Sequence, residues 1–578
     1  MAYTDQIVFL AGFLLTLSIL ASIPAERSGV PVLVIFLVLG MLAGEQGLGG
    51  VQFEDVATAH LLGTMALAVI LFDGGLHTPL SSFRTGLGPG LSLATAGVVA
   101  TAIITAGCVV LLYGDPWLNS LLLVSIISST DAAAVFYLLR ARGLELHPRV
   151  RNTLEIESGV NDPIAIFLTV VLIEWVLQQH QATPAGLLVS LGQQLIGGAA
   201  LGGAGGALLT WVVNRLPLPA SLYPLLALSG GLLIYGMSAY IGGSGFLAAY
   251  LAGLILGNRA RLARRSIQRF HDGIAWLCQI GLFLMLGLLV TPSDLLQVAP
   301  KALLVVGAII VLGRPLAVAL CLLPFRFPWR QVVFISWVGI RGAVPIVLSL
   351  FPLLAGVPGA VVDFNLVFFI VLISLLLQGW TVAPVARWLS LQLPRLHPDA
   401  RWIDLGIPSD HELVICELPP QCPALNAPLG ALQPPYGVQL LALVRQGCSV
   451  PVTPQRALQA RDLLYLLVPS ADSSVQERFD HWLDEMGAQQ PESQRRFYGE
   501  FTIGALSPMA DFAAIYLSKP IIDAQPDETI GDYLNRRLHN KASEGDLVEV
   551  GNVMLVVREM DQRQIVKVGV KLPRPPAS

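Results

Sequence analysis

Charged side chains are scarce in this chain of 578 residues, where Asp, Glu, Lys and Arg together make up only 13%. Hydrophobic residues account for 54%, and the mean hydropathy is +0.67. Such a composition excludes an ordinary soluble protein and predicts a polytopic membrane protein. The formal net charge of −4 gives no reason to expect nucleic acid as a partner.

Several motifs are missing as well. The six cysteines form no C-x-x-C pair, so we interpret them as core thiols rather than as a disulfide or metal site. No small-residue cleavage site follows the first apolar run, residues 7–23, so we expect a retained helix and no removed signal peptide. The chain contains no phosphate-binding glycine loop and no hydrolytic constellation, which argues against an enzyme and against a resident cofactor.

Long apolar runs dominate residues 1–390. Counting the runs that can cross a hydrocarbon layer of about 30 Å, we predict thirteen transmembrane helices, near residues 6–24, 29–44, 59–77, 87–113, 117–139, 152–178, 185–213, 220–241, 244–257, 272–290, 298–323, 331–354 and 364–389. After Pro394 the charge density rises, and strand-like segments at 412–417, 438–444 and 463–468 predict a smaller α+β tail. We divide the chain into an all-α membrane domain, 1–390, and two tail domains, 391–485 and 486–578.

Basic residues predict the orientation. Alternate loops carry fourteen arginines, whereas the opposite loops carry only Lys301. The fourteen are Arg27, Arg84, Arg140, Arg142, Arg149, Arg151, Arg215, Arg259, Arg261, Arg264, Arg265, Arg269, Arg326 and Arg330. The positive-inside rule places the N-terminus outside and the tail in the cytoplasm, so we expect a multi-pass protein of the cytoplasmic (inner) membrane.

Five ionisable residues are expected at one depth in the membrane: Asp73, Asp131, Asp162, Arg314 and Arg341. Each lies nine to twelve residues from a cytoplasmic arginine. At about 1.5 Å per helical residue, that spacing puts each of them roughly 14 to 18 Å from the arginines. A charge at mid-bilayer costs about 2.5 to 3.5 kcal/mol even on a lenient scale. These residues must therefore face one another or a water-filled cavity, as on an ion or proton pathway.

Three predicted helices carry polar or helix-disturbing residues near their centres. In helix 6, Glu157 lies under Asn161 and Ser158 under Asp162, and Pro163 removes a backbone donor. In segment 339–345 of helix 12, two glycines and a proline flank an arginine, which predicts a broken helix. In helix 5 the polar side chains of residues 128–131 compete with the backbone for hydrogen bonds, which predicts a second break. Breaks in corresponding positions predict inverted repeats, helices 4–6 and 11–13, in which broken helices 5 and 12 cross.

Four segments resemble motifs of the NhaP-type sodium/potassium-proton antiporters: Glu157-Ser158-Gly159-Val160-Asn161-Asp162-Pro163, Thr130-Asp131, Gly313-Arg314-Pro315 and Gly339-Ile340-Arg341-Gly342-Ala343. That family has E-S-x-x-N-D-P on helix 6 and G-x-R-G-A on helix 12, and the resemblance covers residues 1–390. The tail resembles that of the potassium-proton, cell-volume-regulating branch. Residues 391–485 are similar to the C-terminal half of potassium-conductance regulators, and residues 486–578 to a transporter-associated module found with magnesium/cobalt efflux proteins.

The resemblance implies a role for each polar residue. Asp162 would bind a proton or a dehydrated cation in turn, and Thr130, Ser158, Asp131 and Asp73 would add oxygen ligands for K⁺ or Na⁺. Asp73 stands where family members often have Glu, so it would coordinate either directly or through a water. Asn161 is neutral, which implies one cation per proton and electroneutral exchange. Glu157 and Arg314 would form a buried pair between helices 6 and 11, and Arg341 would neutralise the half-helix C-terminus at the break in helix 12.

We therefore predict a homodimeric antiporter in the lipid membrane that exchanges a monovalent cation, K⁺ in preference to Na⁺, for H⁺. It would use no ATP or cofactor and would contribute to cation, pH and cell-volume homeostasis, and an unidentified regulatory ligand is left open for the tail. Two alternatives also remain: an Na⁺(Li⁺)/H⁺ antiporter, and a potassium channel gated by the tail, although no T-V-G-Y-G-like filter is present. A transporter for an organic solute would need aromatic or arginine clamps, whereas the predicted midplane set is mostly small oxygen ligands.

Overall fold

A computed structural model gives the structure of the chain. It describes residues 2–28, 31–53, 55–78, 80–141, 144–177, 184–260, 263–389, 391–393, 400–403, 411–418, 422, 424–469, 475, 478–479, 482–483, 497, 499, 501–517, 525, 528–538, 542, 544–561 and 564–572. The chain forms two compact units. One comprises Met1–Arg142 and Arg149–Leu391, and the other comprises Gly143–Pro148 and Gln392–Ser578. Two arginines of the topology set, Arg142 and Arg261, lie outside the described residues.

The first unit is built from helices, which we label α1 to α13 along the chain, with a and b for the halves of a broken helix. They are α1 Ala2–Ser28, α2 Val32–Ala43, α3 Val56–His77, α4 in the pieces Leu80–Ser92, Leu93–Gly97 and Val98–Tyr113, α5a Trp117–Ile126, α5b Ala132–Ala141, α6 Pro148–Val176, α7 Pro184–Arg215, α8 Leu222–Tyr240, α9 Gly245–Arg259, α10 Arg264–Leu288, α11 in the pieces Pro292–Ala308, Ile309–Gly313 and Arg314–Leu322, α12a Trp329–Trp337, α12b Ala343–Leu354 and α13 Ala360–Trp388.

Within the described residues the helices fall into thirteen segments, at the places predicted from the apolar runs. Eight of them are long and apolar enough to cross a membrane by length and composition. Four shorter apolar helices, Val8–Pro24, Val32–Ala43, Trp117–Ile126 and Ala343–Leu354, include α5a and α12b, each one half of a broken segment. The prediction of an all-α polytopic membrane domain is confirmed.

Helices 5 and 12 are both interrupted, as predicted. Residues 127–131 separate α5a from α5b, and residues 338–342 separate α12a from α12b. In the first break the Ser128 hydroxyl donates to the Ser125 carbonyl at 2.7 Å, which replaces a helical hydrogen bond. In the second, Gly339 and Gly342 leave room for the side chains of Arg314 and Asp131. Pro345 falls in the first turn of α12b, where its missing N–H costs nothing.

A matched pair of π turns supports the predicted relation between the two halves. α4 contains one at Leu93–Gly97, and α11 contains the other at Ile309–Gly313. A Cβ at Gly97 would lie 3.6 Å from the Cys321 sulfur of α11, and Gly313 in turn packs against the Thr105 side chain of α4. Because π turns are rare and local, their occurrence at corresponding places in helices 4 and 11 is the pattern that inverted repeats produce.

α3 and α9 approach each other backbone to backbone. A Cβ at Gly75, Gly253 or Gly257 would collide with a carbonyl oxygen of the facing helix. A second glycine row on α7 packs against the start of α9, where Gly202 faces Ala248 and Gly206 faces Ala252. Small residues at such contacts are typical of packing between membrane helices, since association in lipid depends on close van der Waals contact.

The second unit contains the strands, β1 to β11. They are β1 Glu145–Leu146, β2 Gln392–Leu393, β3 Ala400–Ile403, β4 His411–Glu417, β5 Gln439–Arg445, β6 Cys448–Val450, β7 Leu463–Pro469, β8 Phe501–Gly504, β9 Leu547–Val550, β10 Val553–Asp561 and β11 Gln564–Lys571. The strands predicted in the tail correspond to β4, β5 and β7. An antiparallel sheet has the order β3-β4-β7-β5-β6, and a second one has the order β8-β11-β10-β9.

Two short helices, α14 (Met509–Tyr516) and α15 (Ile530–Arg537), share a hydrophobic core with the second sheet. This core includes Met509, Tyr533 and Val557. The first sheet has a separate core around Val414 and Leu466. The α+β character of the tail is therefore confirmed, whereas the predicted division at residue 485 lies outside the described residues.

A partly exposed ion pair in the module around α15 leads to a prediction about pH. Arg536 donates to Glu528 at 2.8 Å and 2.9 Å, and these bonds lower the pKa of Glu528 from its usual 4.5. A lowered folded-state pKa contributes stability that is present above pH 4.5 and is lost as the pH falls through the folded value. We expect Glu528→Gln to destabilise the module by about 1 to 3 kcal/mol at pH 7, and by less in acid.

Pulse proteolysis of the full-length protein in urea, at pH 7 and at pH 4, measures this difference. Asp511→Asn is the matched control, because Asp511 is an exposed carboxylate in the same module. An equal loss of stability in both variants, or a loss in Glu528→Gln that is the same at the two pH values, would contradict the prediction.

Candidate functional site

The two broken helices cross and are joined by a backbone hydrogen bond. The Asp131 N–H donates to the Ile340 carbonyl at 2.8 Å. Asp131 also caps the beginning of α5b, since its Oδ1 accepts from the Ala134 N–H at 3.1 Å. A carboxylate in this position is stabilised by the partial positive charge at a helix N-terminus. The crossing therefore brings four half-helix ends together in the core of the first unit.

Asp162 lies beside this crossing and is 4% exposed. Its Oδ1 accepts a hydrogen bond from the Ser129 hydroxyl. One turn earlier on α6, the Ser158 oxygen accepts from the Ala132 N–H at 3.2 Å. Carboxylate and hydroxyl oxygens lie close together here, and such hard ligands suit alkali cations rather than soft metals.

Asn161 contacts the other predicted ligand residue, Thr130. Its side-chain amide donates to the Thr130 hydroxyl at 2.7 Å and to the Thr130 carbonyl at 3.4 Å. The Asn161 Oδ1 is buried and has no hydrogen-bond partner among the described residues. The structure thus brings together four of the five predicted ligand residues, all except Asp73, with Asn161 as a neutral donor between them.

Glu157 and Arg314 form a buried ion pair, with side chains 1% and 5% exposed. A second guanidinium nitrogen of Arg314 donates to the Ile335 carbonyl at 3.4 Å. Gly339 lies against the same guanidinium, because a Cβ there would be 3.0 Å from the Arg314 Nε. The pair therefore connects α6 with α11 and, through Ile335, with α12a.

The side chain of Arg341 reaches a different helix from the one predicted. Its Nη1 donates to the carbonyls of Ser129 at 3.2 Å and Ser128 at 3.4 Å, at the C-terminal end of α5a. Arg341 does lie at the C-terminal end of a half-helix, as predicted. That half-helix is α5a, so the predicted place, the break in helix 12, was wrong. The reason is the crossing, which puts the end of α5a within reach of the extended backbone around Arg341.

The end of α12a has its own partner, which sequence reasoning missed. Gln378 of α13 donates from Nε2 to the Trp337 carbonyl at 2.7 Å, and it accepts from the Ser374 hydroxyl. The Ser374 oxygen in turn accepts from the Arg341 N–H at 3.1 Å. Both residues are buried polar groups, four apart in an apolar stretch of α13, and that pattern is the signal that could have identified them.

Asp73 lies outside this group of contacts, and its estimated depth was wrong. The eleven residues from Asp73 to Arg84 are not one helix, because α3 ends at His77 and α4 begins at Leu80. Asp73 is therefore one turn from a helix end. Its Oδ1 lies 3.4 Å from His77 Nδ1, and His77 Nε2 lies 3.4 Å from Asp272 on α10. Among the described residues no hydrogen bond joins Asp73 to the crossing.

Gly342 leads to a second prediction, because it touches the cap of α5b. A Cβ at this position would lie 2.6 Å from Asp131 Oδ2 and 2.9 Å from the Asp131 Cβ. We expect Gly342→Ala to force the crossing apart. The rate of the exchange predicted from the sequence, measured in membrane vesicles, should fall by at least about tenfold, which corresponds to 1.4 kcal/mol or more.

The control is Gly307→Ala on α11, where the added Cβ meets no atom within 4 Å. Rates are to be normalised to the amount of folded protein in the membrane. If Gly342→Ala keeps the rate of Gly307→Ala, the close contact at the crossing has no part in transport.

Comparisons with known proteins agree with this arrangement. Residues 13–388 match the family model of the transmembrane sodium/hydrogen exchangers, and residues 494–574 match the transporter associated domain. The chain is 41% identical over 573 residues to the K(+)/H(+) antiporter NhaP of Alkalimonas amylolytica, which covers 98% of each chain. It is 42% identical over 572 residues to the K(+)/H(+) antiporter NhaP2 of Shewanella sp. (strain ANA-3), again 98% of each.

Two further likenesses are more distant. The Na(+)/H(+) antiporter NhaP of Pseudomonas aeruginosa is 30% identical over 355 residues, 57% of this chain and 81% of that protein. A solved structure of the sodium proton antiporter MjNhaP1 from Methanocaldococcus jannaschii superposes with a TM-score of 0.59 at 23% identity. It covers 67% of this chain and 100% of that one, which shows the fold of the first unit.

Proposed function

Because the chain belongs to the sodium/hydrogen exchanger family, we propose that it exchanges one monovalent cation, preferably K⁺, for one proton at Asp162. One observation carries this proposal. Asp162 is a buried carboxylate at the crossing of two broken helices, beside hydroxyl oxygens, and no Lys or Arg of the described residues lies within salt-bridge distance of it. Within the described part of the chain its charge therefore has no fixed counterion, which supports the transported species in that role.

The coupling of cation and proton movement follows from the free-energy cost of leaving the Asp162 carboxylate charged and without a counterion. An isolated charge in a low-dielectric interior is strongly disfavoured, so the site changes its exposure only when a cation or a proton neutralises Asp162. The two compete for the same oxygen atoms, and each one that leaves on one side makes room for the other. This competition produces exchange without ATP or a resident cofactor.

The stoichiometry rests on the charges around the site. Asp131 caps α5b, and the helix N-terminus compensates its charge. Asn161 is neutral, and Glu157 is paired with Arg314. One carboxylate therefore remains for exchange, which supports one cation per proton and an electroneutral cycle that the membrane potential does not drive.

The choice of K⁺ over Na⁺ is supported by the relatives. The two relatives above that match 98% of this chain at 41–42% identity are named K(+)/H(+) antiporters, whereas a relative named for Na⁺ matches 57% at 30%. The oxygen ligands at the crossing suit either ion. Na⁺ or Li⁺ exchange remains the second candidate for this reason.

The orientation and setting complete the proposal. The arginine asymmetry supports an N-terminus outside and a C-terminal region in the cytoplasm, in the inner membrane. Homodimerisation is part of the proposal, since the resemblance to NhaP-type antiporters implies it. The exchange would serve cation, pH and cell-volume homeostasis, and the C-terminal region would sense a ligand whose identity is open.

Reconstituted proteoliposomes with an internal pH dye test the exchange. KCl, NaCl, LiCl or RbCl is added outside, and the expected result is proton movement that is fastest with K⁺. Clamping the membrane potential with an independent ion and ionophore should leave the rate unchanged. Cation flux without proton movement would favour the channel alternative, and a rate that follows the potential would contradict one-for-one exchange.

A further inference from the structure

The loop between α5b and α6 belongs to the second compact unit. That unit includes Gly143–Pro148 together with Gln392–Ser578. Within it β1 pairs with β2 in an antiparallel ribbon, in which Glu145 faces Leu393 and Leu146 faces Gln392. β2 begins four residues after the last residue of α13. The strand that joins the two site-bearing helices is thus hydrogen-bonded to the first strand of the C-terminal region.

A side-chain contact attaches the same loop to the transporter-associated module. His147 Nε2 lies 3.2 Å from Asp546 Oδ1, and the two side chains are 7% and 18% exposed. Asp546 lies directly before β9, at the end of a turn whose Gly545 N–H donates to the Val557 carbonyl at 2.7 Å. The carboxylate is therefore presented by the fold of the module, and the loop contacts both the beginning of the C-terminal region and its last sheet.

The two helices that this loop connects carry the candidate site. α5b begins directly after Asp131, and α6 carries Ser158 and Asp162. α5b is only ten residues long, and α6 begins at Pro148, at the end of the loop. A displacement of the loop therefore moves both helices, and both reach the crossing farther along their length. A ribbon of two residue pairs is marginally stable by itself. It can therefore open and close at little cost, as a switching element requires.

We propose that β1, β2 and the His147–Asp546 contact form a clasp through which the C-terminal region restrains α5b and α6. The inference rests on the proposed exchange at Asp162 and adds its regulation. With the clasp closed, the loop is held and the helices move slowly between their two exposures. When a signal in the C-terminal region opens the clasp, the restraint is lost and exchange is faster.

Hydrogen exchange of the full-length protein tests the clasp without reference to transport. Asp546→Asn and His147→Phe alter the His147–Asp546 contact from either side, and Asp511→Asn serves as the matched control in the same module. We expect deuterium uptake in residues 144–160 to rise in the first two variants and to equal wild type in Asp511→Asn. Unchanged uptake in both clasp variants, or the same rise in the control, would overturn the proposal.

Transport in proteoliposomes is the second readout. We expect Asp546→Asn and His147→Phe each to speed K⁺-driven proton movement by about two- to tenfold, and the double variant to give no more than the larger single effect. Additive effects, or a slower rate with increased uptake, would overturn the restraining role. If wild type showed no cation-proton exchange, the proposed function would fail, while the hydrogen-exchange result would still decide whether the clasp exists.

Discussion

An Asp162→Asn variant is expected to lose cation-dependent proton movement down to the background of liposomes without protein. The amide keeps the shape of the side chain and can still contact the Ser129 hydroxyl. It can take up neither a proton nor a cation's charge, so the site stays neutral on both sides of the membrane. Competition between the two ions, which the exchange requires, is then impossible.

The measurement is dye dequenching in everted vesicles on addition of KCl, with the protein quantified in the same membranes. Glu174→Gln is the matched control, because Glu174 is an exposed carboxylate on the same helix, α6, and it should keep the wild-type rate. Retained K⁺-dependent proton movement in Asp162→Asn would remove this residue from its central role and would require a different acid for exchange.

The largest effect on stability is expected at the buried pair of Glu157 and Arg314. Removing one partner leaves the other charge in the interior, which costs about 3 to 5 kcal/mol. Glu157→Gln should therefore lower the thermal unfolding temperature in detergent strongly and reduce the folded yield. Arg314→Met should do the same, since it leaves Glu157 unpaired between α6 and α11.

A double variant separates the charge from the packing. Because replacing both members of a buried pair is often nearly neutral, Glu157→Gln combined with Arg314→Met should recover much of the stability that each single change removes. The control pair is Arg151 and Glu155, joined at 3.0 Å on α6 with the arginine 40% exposed. Breaking it should cost less than about 1 kcal/mol. Equal losses at both pairs would show that burial does not govern this interaction.

The regular features of this fold follow from patterns that lie along the chain. Apolar runs and arginine spacing predict the thirteen helical segments, because each span must satisfy its backbone within itself. The breaks in helices 5 and 12 follow from local chemistry, the serine run before Asp131 and the two glycines beside Arg341. The neighbours of Asp162 on α6 follow from helical periodicity.

The failures occur where a contact depends on a second helix or on the exact end of one. Asp73 was placed too deep because the estimate counted residues 73–84 as one continuous helix, although the apolar run of the third helix already ends at residue 77. Arg341 was assigned to its own helix because the end of α5a approaches only in three dimensions. Ser129 was missed as a partner of Asp162. Successive side chains of an extended segment point to opposite sides, so a shift by one residue decides which hydroxyl faces α6.

The close seam between α3 and α9 has a consequence for biogenesis. Its two sides are separated by more than a hundred and fifty residues of sequence, so on the ribosome α3 enters the bilayer long before α9 has been made. Until then the groove that Gly75 leaves has no facing helix to fill it. The seam closes only after six further segments have been inserted, which makes the joining of these early and late parts a late step in assembly.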